Sequence, residues 1–132
     1  MQNDELPNRS LSSIVIVAEK YPLSRAALAD LLTCDGYRVF QTDNANSAML
    51  LIQRYGNPAT LLTDLEMPGW KSLVRHTRST APNALIIAML ESHSTPDFSD
   101  LRQRGIGLWF VKPLEYEDIH RAIRSRERQP GF

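Results

Sequence analysis

Five short apolar runs punctuate the chain, and amphipathic stretches fill the intervals between them. Ile14-Val15-Ile16-Val17 is β-branched without polar alternation, which suits a strand buried on both faces of a parallel sheet. Pro22 then opens a helix in which Leu28, Leu31 and Leu32 recur at helical spacing, and Gly36 stops it. Tyr37 to Thr42 is a second strand. Ala48, Leu51, Ile52 and Tyr55 mark a second helix, ended by Gly56 and Pro58, and Ala59 to Thr63 is a third strand that runs out at Asp64. A short basic helix is expected from about Lys71 to Arg78, anchored by Leu73 and Val74. Asn83 to Met89 is the fourth strand. Thr95-Pro96-Asp97 caps a weak fourth helix carrying Phe98 and Leu101, which ends before Gly105. Leu108 to Val111 is the fifth strand, and a last helix runs from about Tyr116 to Arg126 with Ile119 and Ile123 inward.

Alternation of apolar strands with helices means an α/β protein with a parallel sheet covered on both faces and right-handed crossovers. Reactive groups in such sheets lie at the carboxyl ends of the strands, near the reversal of strand order. The polar stretch 1–12 is expected to be a flexible leader, 13–127 the folded domain and 128–132 a tail.

Composition narrows the setting without changing the fold. The chain has 132 residues, an apolar share of 42% and zero formal net charge, so nothing in the charge points to nucleic acid. One cysteine, Cys34, excludes an internal disulfide and fits a reducing cytosol. No run approaches the roughly 18 apolar residues of a membrane span, and the polar N-terminus has no signal-peptide core. A cytoplasmic protein without membrane or nucleic-acid partner is expected.

Three polar features fall at the carboxyl ends of expected strands: Glu19 after the first, Asp64 after the third and Lys112-Pro113 after the fifth. Two carboxylates and an ammonium on one rim suit a cation site beside a phosphate. Mg²⁺ takes one or two carboxylates and completes its octahedron with water and phosphate oxygens. A carboxylate can also attack phosphorus, giving an aspartyl phosphate whose charge a nearby lysine offsets.

On these residues the chain resembles the receiver domains of two-component response regulators. Asp64-Leu65-Glu66-Met67-Pro68-Gly69 matches their phosphoacceptor motif and Lys112-Pro113 their conserved pair. Trp109 lies at the aromatic switch position, and Gly105 matches the glycine that ends the fourth helix. The likeness runs from about Ser13 to Arg126. It implies a flavodoxin-like (βα)5 fold, a doubly wound five-stranded parallel sheet in the order 2-1-3-4-5. It also implies a phosphoryl group accepted on Asp64 from a histidine kinase or phosphotransfer partner. Mg²⁺ would be held by Glu19, Asp64 and the backbone carbonyl of Glu66. The domain itself is then a signalling module rather than an enzyme. The phosphoryl group carries about −1.5 to −2 charges and would bias the face of the fourth helix, fifth strand and fifth helix, which could also form a homodimer.

Three departures accompany the match. Ala18-Glu19 stands where the family has two acids. Losing the outer one should weaken cation binding by about one to a few kcal/mol at roughly 4–6 Å and an effective dielectric near 20. Leu90 occupies the position of the switch hydroxyl, and a leucine cannot donate a hydrogen bond to a phosphoryl group. Ser92 or Ser94 would replace it only after a register shift. Gly69-Trp70-Lys71-Ser72 is about two residues short of the usual loop.

These departures leave a second reading, a pseudo-receiver that signals through protein contacts or dimerisation without phosphate. An enzyme on the same fold is a third, but Glu19 to Ser24 contains no glycine to cradle a phosphate. Trp70 is either a contact residue or packing over the third helix. His76, His93 and His120 have no metal-ligand spacing and are expected at the solvated surface. Cys34 is expected to be a buried small residue.

Overall fold

A computed structural model describes residues 14–128. The leader expected over 1–12 and nearly all of the tail expected over 128–132 lie outside these residues. Five strands alternate with five helices: β1 (Ile14–Ala18), α1 (Pro22–Cys34), β2 (Arg38–Thr42), α2 (Ala45–Tyr55), β3 (Thr60–Asp64), α3 (Trp70–Thr80), β4 (Leu85–Leu90), α4 (Phe98–Gln103), β5 (Leu108–Val111) and α5 (Tyr116–Glu127). The strands form one parallel sheet in the order β2-β1-β3-β4-β5, the expected doubly wound, flavodoxin-like arrangement.

The central strands are apolar throughout because they have two faces to fill. Side chains alternate across a strand, so Ile14, Ile16, Leu61, Ile86 and Leu90 enter one core layer and Val15, Val17, Leu62, Ile87 and Met89 the other. The first layer is closed by Ala48 and Ile52 of α2, Leu73 and Val74 of α3, and Leu101 of α4. The second is closed by Leu28 and Leu32 of α1 and Ile119 and Ile123 of α5. Each strand therefore stops at the same rim, and the helices leave that rim clear.

The opposite rim is tied down by two arginines. Arg78 of α3 donates from Nη1 to the Ala84 carbonyl at 3.1 Å and from Nη2 to the Gly105 carbonyl at 2.7 Å. Arg126 of α5 donates to the Asn83 carbonyl at 2.7 Å. Gly105 is required twice over. Its φ is +90°, and a Cβ there would sit 2.5 Å from Arg78 Nε.

Several expectations are corrected. α3 is longer than expected, running from Trp70 to Thr80. Cys34 is exposed, because α1 turns Leu28, Ala29 and Leu32 inward and leaves its last turn facing solvent. His120 is not solvated: its side chain is 13% exposed, with Nδ1 3.3 Å from Asp35 Oδ2. Its ring stacks on Tyr116 and meets Tyr37 edge-on. His76 is half-buried with Nε2 enclosed, and only His93 is exposed. Of the two readings of Trp70, packing is the one seen: it lies against the core layer of α3, with the Arg104 guanidinium 5.6 Å from its ring centroid.

Candidate functional site

β1, β3 and β5 end at the same edge of the sheet, with β4 between the last two, and their last or next residues carry Glu19, Asp64 and Lys112. Pairing in register places Ala18 beside Thr63 and Asp64 beside Met89, which brings Glu19 and Asp64 to the same level. Lys112 follows Val111, whose partner is Leu90, and its backbone N–H donates to the Leu90 carbonyl at 2.7 Å. The Lys112–Pro113 peptide bond is cis.

The three side chains meet. Lys112 Nζ lies 2.9 Å from Glu19 Oε1 and 3.5 Å from Asp64 Oδ1, with the carboxylates 1% and 0% exposed. The Lys112 aliphatic stem leads its ammonium past the Tyr21 ring, 5.0 Å from the centroid. Glu66 donates its backbone N–H to Asp64 Oδ1 at 2.9 Å, while Asp64 Oδ2 receives only a long contact from the Lys20 N–H at 3.4 Å among the described residues. Oδ2 is therefore the freer oxygen. The loop that delivers Glu66 is held from below by Met67, which is fully buried in the core layer of α2 and α3. Gly69 closes it with φ +86°, where a Cβ would press within 3.0 Å of Ala45 Cβ.

Burial sets the electrostatics. It pushes the Glu19 carboxyl above its ordinary range, further than the Lys112 ammonium and the Tyr21 N–H pull it back, and the like charge of Asp64 adds to the rise. Burial also pulls on the Lys112 ammonium, but Glu19, Glu91 and Asp64 outweigh it and leave lysine above its usual value. Glu19 Oε1 is buried without a hydrogen bond, and its compensation is the ion pair with Lys112. Two inward carboxylates with unspent acceptor capacity fit Mg²⁺, which takes one or two from a protein. Among the described residues no three His, Cys, Asp or Glu side chains form a metal cage, so a ligand set of the zinc type is not present there.

The remaining site residues divide. Leu90 ends β4 and is 2% exposed; it faces the core layer of α2, α3 and α4 rather than the rim. Leu90→Thr, which would supply the absent hydroxyl, is expected to cost about 2–4 kcal/mol in urea unfolding, since it deletes buried methyls and buries a polar group. Trp109 is half-buried against the same layer, 4.8 Å between ring centroids from Phe98 and with Arg102 over its face at 5.4 Å. The carboxylate of Glu66 is not part of the cluster; its backbone N–H is.

One participant escaped the sequence reading. Glu91, directly after β4, places Oε2 3.1 Å from Lys112 Nζ. The signal was available, because a carboxylate at a strand's carboxyl end is the feature that singles out Glu19 and Asp64.

The geometry can be set beside known proteins. A family model described as the response regulator receiver domain matches residues 15–124. Two-component response regulator ORR11 of Oryza sativa subsp. indica is 24% identical over 113 residues, covering 83% of this chain and 77% of that protein. The receiver domain of sensor histidine kinase PA1611 from Pseudomonas aeruginosa, solved with magnesium coordinated in its active site cleft, superposes with a TM-score of 0.73 at 20% identity, covering 86% of this chain and 96% of that one. A DNA-binding response regulator of the LuxR family from Staphylococcus aureus gives 0.76 at 24% identity, with 88% and 99% covered. These two structures speak for the fold.

Proposed function

We propose that this chain, which belongs to the response regulator receiver domain family, accepts a phosphoryl group on Asp64 from the phosphohistidine of a kinase or phosphotransfer partner. Its role is that of a two-component receiver, and the fold and family match carry that much. What supports Asp64 as the acceptor is one observation: three strand ends deliver Glu19, Asp64 and Lys112 into a single ion-paired cluster. A phosphorylation-independent module has no need of buried carboxylates held on a lysine, so the alternative reading is not favoured.

The chemistry follows from the placement. An Asp64 oxygen forms an O–P bond as the N–P bond of the donor breaks, and the imidazole leaves with that electron pair. The Glu66 N–H engages Asp64 Oδ1, whereas Oδ2 carries the longer contact from the Lys20 N–H, so Oδ2 is the oxygen assigned to the attack. Lys112 offsets the charge on the transferred group, since positioning and electrostatics dominate this reaction. Glu19, Asp64 and the Glu66 backbone carbonyl would hold Mg²⁺, which neutralises phosphoryl oxygens when bound. The readout face is α4, β5 and α5, with Trp109 its central aromatic. Phe98, Leu108 and Val111 are exposed there at 39%, 37% and 52%, apolar surface suited to a second copy or a target in the cytoplasm. Among the described residues no helix is long and apolar enough to cross a membrane.

Incubation with acetyl phosphate and Mg²⁺, followed by intact mass measurement, tests the proposal. A phosphoryl adduct on the native chain that vanishes in Asp64→Asn is the expected result. Absence of any adduct across Mg²⁺ concentrations, with circular dichroism showing an intact fold, would sink it.

A further inference from the structure

Three carboxylates converge on one ammonium in this rim, and they are not equivalent. Glu19 and Asp64 are 1% and 0% exposed and belong to the ends of β1 and β3, whereas Glu91 is 22% exposed and begins the loop into α4. Glu91 Oε2 holds Lys112 Nζ at 3.1 Å, closer than Asp64 Oδ1 does at 3.5 Å. Three negative charges against one positive leave an excess of two. A divalent cation on Glu19 and Asp64 would balance that excess with Glu91 in place. A phosphoryl group on Asp64 would not be balanced, because the acyl phosphate carries about two negative charges where the carboxylate carried one.

We propose that Glu91 is an internal anion that occupies Lys112 until a phosphoryl group on Asp64 displaces it, and that this displacement moves the loop at 91–97. The inference rests on Asp64 being the phosphoacceptor. Lys112 has three donors on a compact charge, and a phosphoryl oxygen carried on Asp64 competes for the site where Glu91 sits. Of the three carboxylates, Glu91 is the one free to go: it is the most exposed, and it is fixed by no hydrogen bond among the described residues other than that to Lys112. Its backbone carbonyl accepts from the Ser94 N–H at 3.0 Å, so a change at Glu91 reaches the turn that leads to Asp97, the N-cap of α4. In a domain whose residue 90 has no hydroxyl to be pulled inward, a carboxylate pushed outward gives the loop a signal of opposite sense. Glu91 is thus a positioning residue, acting through Lys112.

Binding of beryllium fluoride with Mg²⁺, a phosphoryl mimic, tests this in Glu91→Gln and Glu91→Ala. Both are expected to bind roughly tenfold more tightly than the native chain, about the worth of one competing charge-assisted hydrogen bond. Asp43→Asn, which removes an exposed carboxylate at the end of β2 without touching Lys112, is expected to change affinity less than twofold. Amide resonances of residues 91–97 in ligand-free Glu91→Gln should already lie part-way toward those of the ligated native chain, a shift that a merely structural side chain would not produce. Equal affinity of native and Glu91→Gln proteins overturns the role of Glu91 while leaving Asp64 in place. Failure of the native chain and of both Glu91 variants to bind overturns the phosphoacceptor reading and Glu91 with it. Binding by the variants alone supports the competition.

Discussion

Lys112→Met is expected to lower unfolding stability by about 3–5 kcal/mol, the range seen when one partner of a buried ion pair is removed. The Lys112 side chain is 13% exposed and its partners Glu19 and Asp64 are sealed from water. Methionine fills the volume and keeps the apolar stem against Tyr21, so the loss reports charge rather than packing. Both carboxylates would then face each other uncompensated, and one must take a proton to stay buried. Added Mg²⁺ should return part of the lost stability, because a cation that binds only the folded state stabilises it by mass action. Urea titrations of both proteins with and without Mg²⁺ measure this. Adduct formation from acetyl phosphate should fall by at least about a hundredfold, as for other preorganised charge stabilisers. An unchanged unfolding midpoint would mean that the cluster is better hydrated than its geometry shows.

Gly105→Ala carries the second large effect, on the far side of the molecule. The left-handed backbone costs an alanine about 1–2 kcal/mol. The new Cβ also displaces Arg78, whose guanidinium would lie 2.5 Å away, and weakens its bonds to the Ala84 and Gly105 carbonyls. The total is expected near 3 kcal/mol by urea unfolding. Because both residues act through one contact, Arg78→Met and Gly105→Ala should be strongly non-additive, the double variant losing less than the sum. Additivity would place the whole penalty in the backbone.

How much of this was legible in sequence depended on whether a residue's environment was local. β1 and β3 could be read because strands covered on both faces need an unbroken apolar run; β5, an edge strand with Leu108 and Val111 exposed, was legible as a short apolar run alone, and the rim followed from the topology those runs imply. Glu19, Asp64 and Lys112 were legible together because each follows such a run. Cys34 and His120 were misplaced because their burial is decided across helices. Cys34 lies two positions past Leu32, about 200° around the helix, and nothing crosses to cover it. His120 neighbours Ile119 on α5 and is covered by Tyr37, Tyr116 and Asp35, two of which come from the other end of the chain. Glu91 also follows an apolar run, but the run alone does not say that its side chain reaches Lys112. Ion pairs between residues 21 positions apart leave no periodic trace.

The two arginine clamps have a consequence for what this sheet can tolerate. Arg78 and Arg126 fasten the entry to β4 at Ala84 and Asn83, and Arg78 also grips the entry to β5 at Gly105. All of this happens at the edge where the strands begin. Ala18, Leu90 and Glu91 sit at the edge where they finish. The clamps at the entry edge thus share no side chain with the ion-paired cluster at the exit edge. A substitution at Ala18 or Glu91 leaves the hydrogen bonds that hold the entry edge in register untouched. The domain is built so that its signalling vocabulary can drift without its grammar being lost.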